Sequence, residues 1–204
     1  MTAAPPDGLA GVILAGGRSS RMGGDKALLA VTGASLLART LAALRPQVGP
    51  LVLSCGDDAV CRAVPELPAV TDAVPGFAGP LAGILAALDW VRDHAPHCRH
   101  LISVPVDAPL FPADLAARLA AAVEAGAGDL ACAVSGGRRH PVFGLWPLAL
   151  AEDLRRAVIG EGMRKVGAWT GRHRLALVEW PDQPFDPFLN ANTPEELERL
   201  RALL

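Results

Sequence analysis

The 204-residue sequence predicts an α/β fold in three layers, a mostly parallel sheet with helices on both faces. Three observations carry that expectation. Predominantly apolar runs such as LAGVIL (9–14) and HLISVPV (100–106) have the composition of strands buried on both faces, not the alternation of half-exposed ones. Between such runs stand segments with apolar residues at i, i+4, i+7 spacing, the helical crossovers that parallel strands require. The chain is 51% hydrophobic and 20% charged, and its length suffices for one sizeable core.

LAGVIL is the first strand. Ser35 is placed to cap a helix whose Leu37, Leu41 and Leu44 share a face, and Pro46 limits its end. PLVLS (50–54) reads as the second strand, and a short polar segment and the apolar run PAV (68–70) follow it. The loop TDAVPGFAGPLAG leads into ILAALDWVRDH, where Leu81, Leu85, Leu88 and Trp90-Val91 form an apolar face. HLISVPV is the central strand, ending at Asp107. Pro112 suits a first helical turn and Gly126 a stop, bracketing ADLAARLAAAVEAG as a helix. DLACAVS follows as a strand, after which GGRRHPVFGLWP, LALAEDLRRAVI and MRKVGAWTG are less regular. RLALVEW (174–180) is strand-like, and Thr193-Pro194-Glu195-Glu196 is a capping box opening a helix to Leu203. The connections are too short for two independent domains, so residues 1–204 are expected to form one.

A net charge of −2 gives no basic field for nucleic acid or an anionic membrane, so an anionic ligand must be caught locally. No apolar run approaches the roughly twenty residues of a membrane span. The opening MTAAPPDG lacks the pattern of a secretory leader, and a cytoplasmic location is expected. Cys55, Cys61, Cys98 and Cys132 are scattered without metal-ligand or framework spacing, so reduced thiols are expected. His94, His97 and His100 lack a zinc partner set, and Trp90, Trp146, Trp169 and Trp180 fall in core-like patterns.

The chemistry concentrates in LAGGRSSRMGGDKALL (14–29). Glycines after a first strand let backbone N–H groups approach phosphate oxygens. The spacing fails GxGxxG, and Gly24-Asp25-Lys26-Ala27 lacks the hydroxyl that follows lysine in a P-loop, so a dinucleotide site and a Walker ATPase are both disfavoured. What remains is a long loop with the cations Arg18, Arg21 and Lys26, which by composition is either a surface loop that binds nothing or one that wraps a triphosphate. Asp107 stands where ligands of open α/β sheets gather, and its residue type fits two roles: a turn-capping aspartate before Pro109, or one rigid carboxylate for a magnesium ion that also takes phosphate oxygens.

Leu14-Ala15-Gly16-Gly17, Arg21-Met22-Gly23 and Asp25-Lys26 together resemble the signature of the sugar-nucleotidyltransferase-like superfamily, most closely its molybdenum cofactor guanylyltransferase branch. Gly79-Pro80-Leu81-Ala82-Gly83, Pro105-Val106-Asp107-Ala108-Pro109 and Asn190-Ala191-Asn192-Thr193-Pro194 resemble that branch at corresponding positions, so the likeness spans nearly the whole chain. It implies a Rossmann-like sheet of the nucleotide-diphospho-sugar transferase type, with about 8–110 serving nucleotide binding and about 111–204 acceptor binding. The implied reaction moves GMP from GTP to the phosphate of molybdopterin, with Mg2+ as cofactor and pyrophosphate released. The product would pass to molybdoenzyme maturation proteins. The attacking phosphate is already an anion, so no serine, cysteine or histidine nucleophile is needed.

The resemblance implies catalytic roles for Lys26, Arg21 and Asp107, with Mg2+ on Asp107. It places nucleotide contacts at Leu14, Ala15, Gly16, Gly17, Lys26, Ser54, Asp72 and Asp107, and acceptor contacts at His140, Asn190 and Asn192. Ser54 stands where the family often carries asparagine. Gly16 gives LAGG, where related cytidylyltransferases tend to carry LAAG, which points to GTP. The alternatives are a cytidylyltransferase or sugar- or polyol-phosphate nucleotidyltransferase, and a carrier that holds nucleotide or pterin without turnover.

Overall fold

A computed structural model describes residues 8–16, 26–56, 58–72 and 79–204. The chain runs through β1 (Leu9–Leu14), the small hairpin β2 (Ala30–Val31) and β3 (Ala34–Ser35), α1 (Leu36–Leu44), β4 (Leu51–Ser54), α2 (Asp58–Ala63) and β5 (Ala69–Val70). It continues through α3 (Pro80–His94), β6 (His100–Pro105), α4 (Leu115–Glu124), β7 (Leu130–Ser135) and β8 (Arg138–Pro147). The last elements are α5 (Ala151–Arg155), α6 (Val166–Thr170), β9 (Leu175–Trp180) and α7 (Pro194–Leu203).

Seven strands form one sheet in the order β5-β4-β1-β6-β8-β7-β9. β1 pairs in parallel with β4 and β6, and β4 with β5. β8 runs antiparallel to both β6 and β7, while β9 returns parallel to β7. The sheet is therefore mostly parallel with one reversed strand near its middle. The chain leaves β1 in one direction for β4 and β5, then crosses back to place β6 on the other side of β1. The crevice beyond the carboxyl ends of β1 and β6 is thus the topological switch point, where open α/β sheets bind ligands.

Alternation along β1 builds the layers. Leu9 and Ile13 pack with Leu37 and Leu44 of α1 and Leu115 and Leu119 of α4, whereas Ala10, Val12 and Leu14 pack with Leu81, Ile84 and Leu88 of α3 and with Leu154 and Trp169. A smaller cluster seats Leu197 and Leu200 of α7 on Val31 and Leu36. The expected caps are present: Ser35 Oγ accepts from Ala38 N at 3.1 Å, and Thr193 Oγ1 accepts from Glu196 N at 3.2 Å while Glu196 Oε2 accepts from Thr193 N at 3.1 Å.

Four features depart from the sequence reading. Pro112 lies in the turn before α4, which begins at Leu115 after Asp114. The Thr32-Gly33 turn joins β2 to β3, an element too short to show a period. GGRRHPVFGLWP is a long strand: Gly136 (φ +52°) and Gly137 (φ +72°) make the two-residue turn pairing Ser135 with Arg138, as hairpins with both central residues left-handed require. Finally, Cys55 and Cys61 form a disulfide with Cα atoms 6.1 Å apart, correcting the expectation of four reduced thiols. α2 folds back beside the end of β4, a proximity their separation of six residues does not reveal. Cys98 and Cys132 remain free and buried, and burial pushes the Cys132 thiol up to about 11.

Candidate active site

β1 and β6 run in register from Leu9 opposite His100 to Leu14 opposite Pro105, so Leu14-Ala15-Gly16 and Pro105-Val106-Asp107 leave the sheet side by side. Val106 N donates to Leu14 O at 3.1 Å, Ala15 N to Ser54 O at 2.8 Å, and Thr40 Oγ1 to Val106 O at 3.1 Å. These bonds fix the rim from which Asp107 projects.

Lys26, at the start of a single 3-10 turn, reaches this rim. Its Nζ donates to Asp107 Oδ2 at 2.7 Å and to Asn192 Oδ1 at 2.7 Å, joining residues 81 and 166 positions apart in sequence. The Lys26 and Asp107 side chains are 13% and 20% exposed, so the pair is shielded without being sealed. The Asn190-Ala191-Asn192 segment is docked by its backbone, with Ala191 N donating to the Asp107 carbonyl at 2.9 Å and Asn192 N to Glu196 Oε2 at 2.7 Å. The capping box of α7 thereby also positions Asn192.

The predicted residues divide between two adjoining cavities. The larger, about 430 Å³, is lined by Lys26, Asp107, His140, Asn190 and Asn192, together with Arg138 and Arg139. The smaller, about 40 Å³, is lined by Ser54, Asp72, Gly79 and Gly83. Leu14, Gly16 and Pro80 border both, so the turn after β1 is the ridge between them. At Gly83 an added Cβ would fall 2.5 Å from Ser54 Oγ and 3.0 Å from Leu14 Cδ2, so glycine lets α3 approach β4 closely there. Ala15 also lines the larger cavity. Gly17 and Arg21, and with them Arg18, Asp25 and Gly76, lie outside the described residues.

The wall of the larger cavity around His140 is built by an irregularity in the β7–β8 ladder. The register passes from Cys132 opposite Gly144 to Ala133 opposite His140, leaving Pro141, Val142 and Phe143 out of the pairing. Proline at the head of this bulge has no N–H to offer the ladder. Ser103 Oγ donates to Val142 O at 2.6 Å and accepts from Trp146 Nε1 at 2.7 Å, pinning the bulge against β6. Val142 and Phe143 therefore line the cavity, joined by Phe188 from the segment between β9 and α7; the sequence pattern had marked none of the three. Burial lowers the His140 pKa, opposed by the Asp186 carboxylate and reinforced by the Arg138 guanidinium.

The model for the MobA-like NTP transferase domain matches residues 11–175, most of the chain. The chain belongs to that family. A molybdenum cofactor guanylyltransferase of Bradyrhizobium sp. (strain ORS 278) is 51% identical over 100% of this chain and 98% of its own length. One from Rhizobium meliloti (strain 1021) is 48% identical, covering 95% and 90%. Among solved structures, molybdopterin-guanine dinucleotide biosynthesis protein A from Archaeoglobus fulgidus superposes with a TM-score of 0.74 at 24% identity, covering 95% of this chain and 97% of that one. A CMP:2-keto-3-deoxy-manno-octonic acid synthetase gives 0.71 at 15% identity, covering 96% and 97%, and so shares the fold. This family member thus has the nucleotide-diphospho-sugar transferase architecture expected from its sequence. Among the described residues no group of three or more His, Cys, Asp or Glu is arranged so that it could hold a metal ion.

Proposed function

We propose that the protein transfers GMP from GTP to the phosphate of molybdopterin, releasing pyrophosphate. The observation that carries the reaction class is the convergence of Lys26, Asp107 and Asn192 at the switch-point crevice. The substrates are those named by relatives about half identical over nearly their full length. A phosphate nucleophile needs no activation by a side chain, so the protein's task is to hold two anions in line and offset their charge. Lys26 supplies an ammonium, held by Asp107 and Asn192, at the boundary between nucleotide and acceptor sides. Arg21 adds a second cation in this proposal. Ser54, Asp72 and the turn at Leu14-Ala15-Gly16-Gly17 hold the nucleoside. His140, Asn190 and Asn192 receive the acceptor.

Mg2+ belongs to this reading as the ion that neutralises the triphosphate. A cage made by protein alone is absent among the described residues, but one carboxylate suits an ion that arrives with phosphate oxygens. Lys26 engages Oδ2 of Asp107, which leaves Oδ1 for a cation. The cytoplasm as compartment and molybdoenzyme maturation proteins as recipients complete the proposal.

A thermal-shift panel of GTP, CTP, UTP and ATP with Mg2+ tests it, since a ligand stabilises the state it binds. Selective stabilisation by GTP is expected, together with pyrophosphate release that depends on molybdopterin. Stabilisation by CTP alone would replace the guanylyl assignment by a cytidylyl one, and binding without pyrophosphate release would mark a carrier.

A further inference from the structure

At the acceptor end of the large cavity lies an arrangement of serine, histidine and aspartate that the transfer chemistry does not use. Ser135 Oγ lies 2.8 Å from His140 Nε2 and donates to Asp186 Oδ1 at 2.7 Å. Asp186 is itself fixed, because Oδ1 also accepts from Phe188 N at 2.9 Å. The imidazole rests against the Phe188 ring, centroids 4.8 Å apart, with the edge of Phe143 at 6.5 Å. The order is Asp–Ser–His, the reverse of a nucleophilic triad, in which histidine stands between the other two. Ser135 is only 2% exposed and its one proton is committed to a carboxylate, so it is no nucleophile.

The proton inventory decides the tautomer. A carboxylate only accepts, so the serine hydroxyl must donate to Asp186 and can then only accept from His140. Nε2 therefore carries the imidazole proton, a choice that Asp186 Oδ2, 4.0 Å from Nε2, reinforces. Nδ1 is left as a bare acceptor. It has no partner among the described residues and is not sealed from solvent, and the ring lines the large cavity.

We infer that Ser135 and Asp186 are positioning residues that lock His140 as the Nε2–H tautomer, so that Nδ1 accepts a hydrogen bond from an N–H donor on the heterocycle of the acceptor substrate. This rests on the pterin acceptor proposed above, whose aminopyrimidinone ring carries such donors. A phosphate oxygen, which only accepts, is refused at this corner. Arg138 and Arg139, which line the same cavity, suit the anionic part of the acceptor instead. Specificity arises because an acceptor that the wrong ligand shuts off from water and leaves unpaired costs free energy.

The test separates tautomer from turnover. Two-bond 1H–15N correlation spectra of histidine-labelled protein, with the His140 signals assigned by their loss in His140→Asn, should show Nε2–H in the wild type, and a soluble pterin should shift them. Asp186→Ala frees the serine proton for Nε2 and should erase the exclusive pattern. In kinetics, Ser135→Ala and Asp186→Ala should each raise the molybdopterin KM about tenfold, the weight of one hydrogen bond, with kcat and the GTP KM within twofold. His140→Phe should do the same, whereas His140→Asn, whose amide oxygen falls near the place of Nδ1, should recover part of the loss. An Nδ1–H tautomer in the wild type overturns the inference, as does an unchanged molybdopterin KM in both positioning variants. So does a parallel loss of GTP affinity in a folded variant. If the wild type turns over no molybdopterin, the activity reading fails, and the spectra with and without pterin still decide the tautomer and its ligand.

Discussion

The Lys26–Asp107 pair can be dissected by a double-mutant cycle that keeps shape and removes charge, using Lys26→Met and Asp107→Asn. With Nζ at 2.7 Å from both Asp107 Oδ2 and Asn192 Oδ1, and the paired side chains 13% and 20% exposed, the pair stands between two regimes. Exposed ion pairs are worth about 0.2–1 kcal/mol, and removing one member of a sealed pair costs about 3–5 kcal/mol. Partial exposure places each single variant near a loss of about 2 kcal/mol. Most of that is the cost of leaving the other charge without its partner, which the double variant does not incur. The double variant should therefore be more stable than the sum of the singles predicts, by about 1–2 kcal/mol. Urea denaturation of the four proteins reads this directly. With a slope of roughly 2–3 kcal/mol per molar, each single should lower the midpoint by about 0.7–1 M. Additivity within about 0.5 kcal/mol would show that the two charges do not sense each other and would refute the reasoning.

Three further outcomes follow from particular atoms. At Gly16 an added Cβ meets no atom of the described residues beyond its chain neighbours within 4 Å, so Gly16→Ala should leave the urea midpoint unchanged while altering the ratio of GTP to CTP binding; an unchanged ratio would remove Gly16 from base discrimination. Gly137 sits at φ +72°, and Gly137→Ala should destabilise by about 1–2 kcal/mol through left-handed strain, read as a lower thermal midpoint; no change would mean that the turn relaxes freely. Burial lowers the pKa of both His140 and His100, so above the ordinary value of 6.5 both are neutral in either state and their contribution is intact. Below it the unfolded chain binds protons that the folded one refuses, so stability should fall as the pH drops from 7.5 towards 5.5. A thermal midpoint that stays level or rises over that interval would contradict the assignment.

The first half of the fold was legible because its strands are buried on both faces and announce themselves as continuous apolar runs. β1, β4 and β6 begin and end within a residue or so of the runs that predict them, whereas the two-residue edge strand β5 is too short and too exposed to be told from an apolar loop. The caps at Ser35 and Thr193 were equally plain, since capping depends on residues within one turn. The second half was harder. β8 passes through a glycine turn and a proline-headed bulge, and bulges break the period-2 pattern that marks a strand. The Cys55–Cys61 bond likewise rests on how α2 returns to the end of β4.

For the site, residue types and spacing alone marked Lys26 as a phosphate-side cation and Asp107 as a carboxylate at a strand end. Local sequence sufficed because glycines, strand termini and proline flanks act on their near neighbours. Only the tertiary structure brought Asn192 to Lys26 across 166 positions, gathered Lys26, Asp107, His140, Asn190 and Asn192 around one cavity with Ser54 and Asp72 in a smaller one beside it, and set Ser135 and Asp186 behind His140. The reason is physical: a hydrogen bond or an ion pair needs atoms about 3 Å apart, and for residues distant in sequence that distance is fixed by sheet order, register and the packing of α7 rather than by any pattern along the chain.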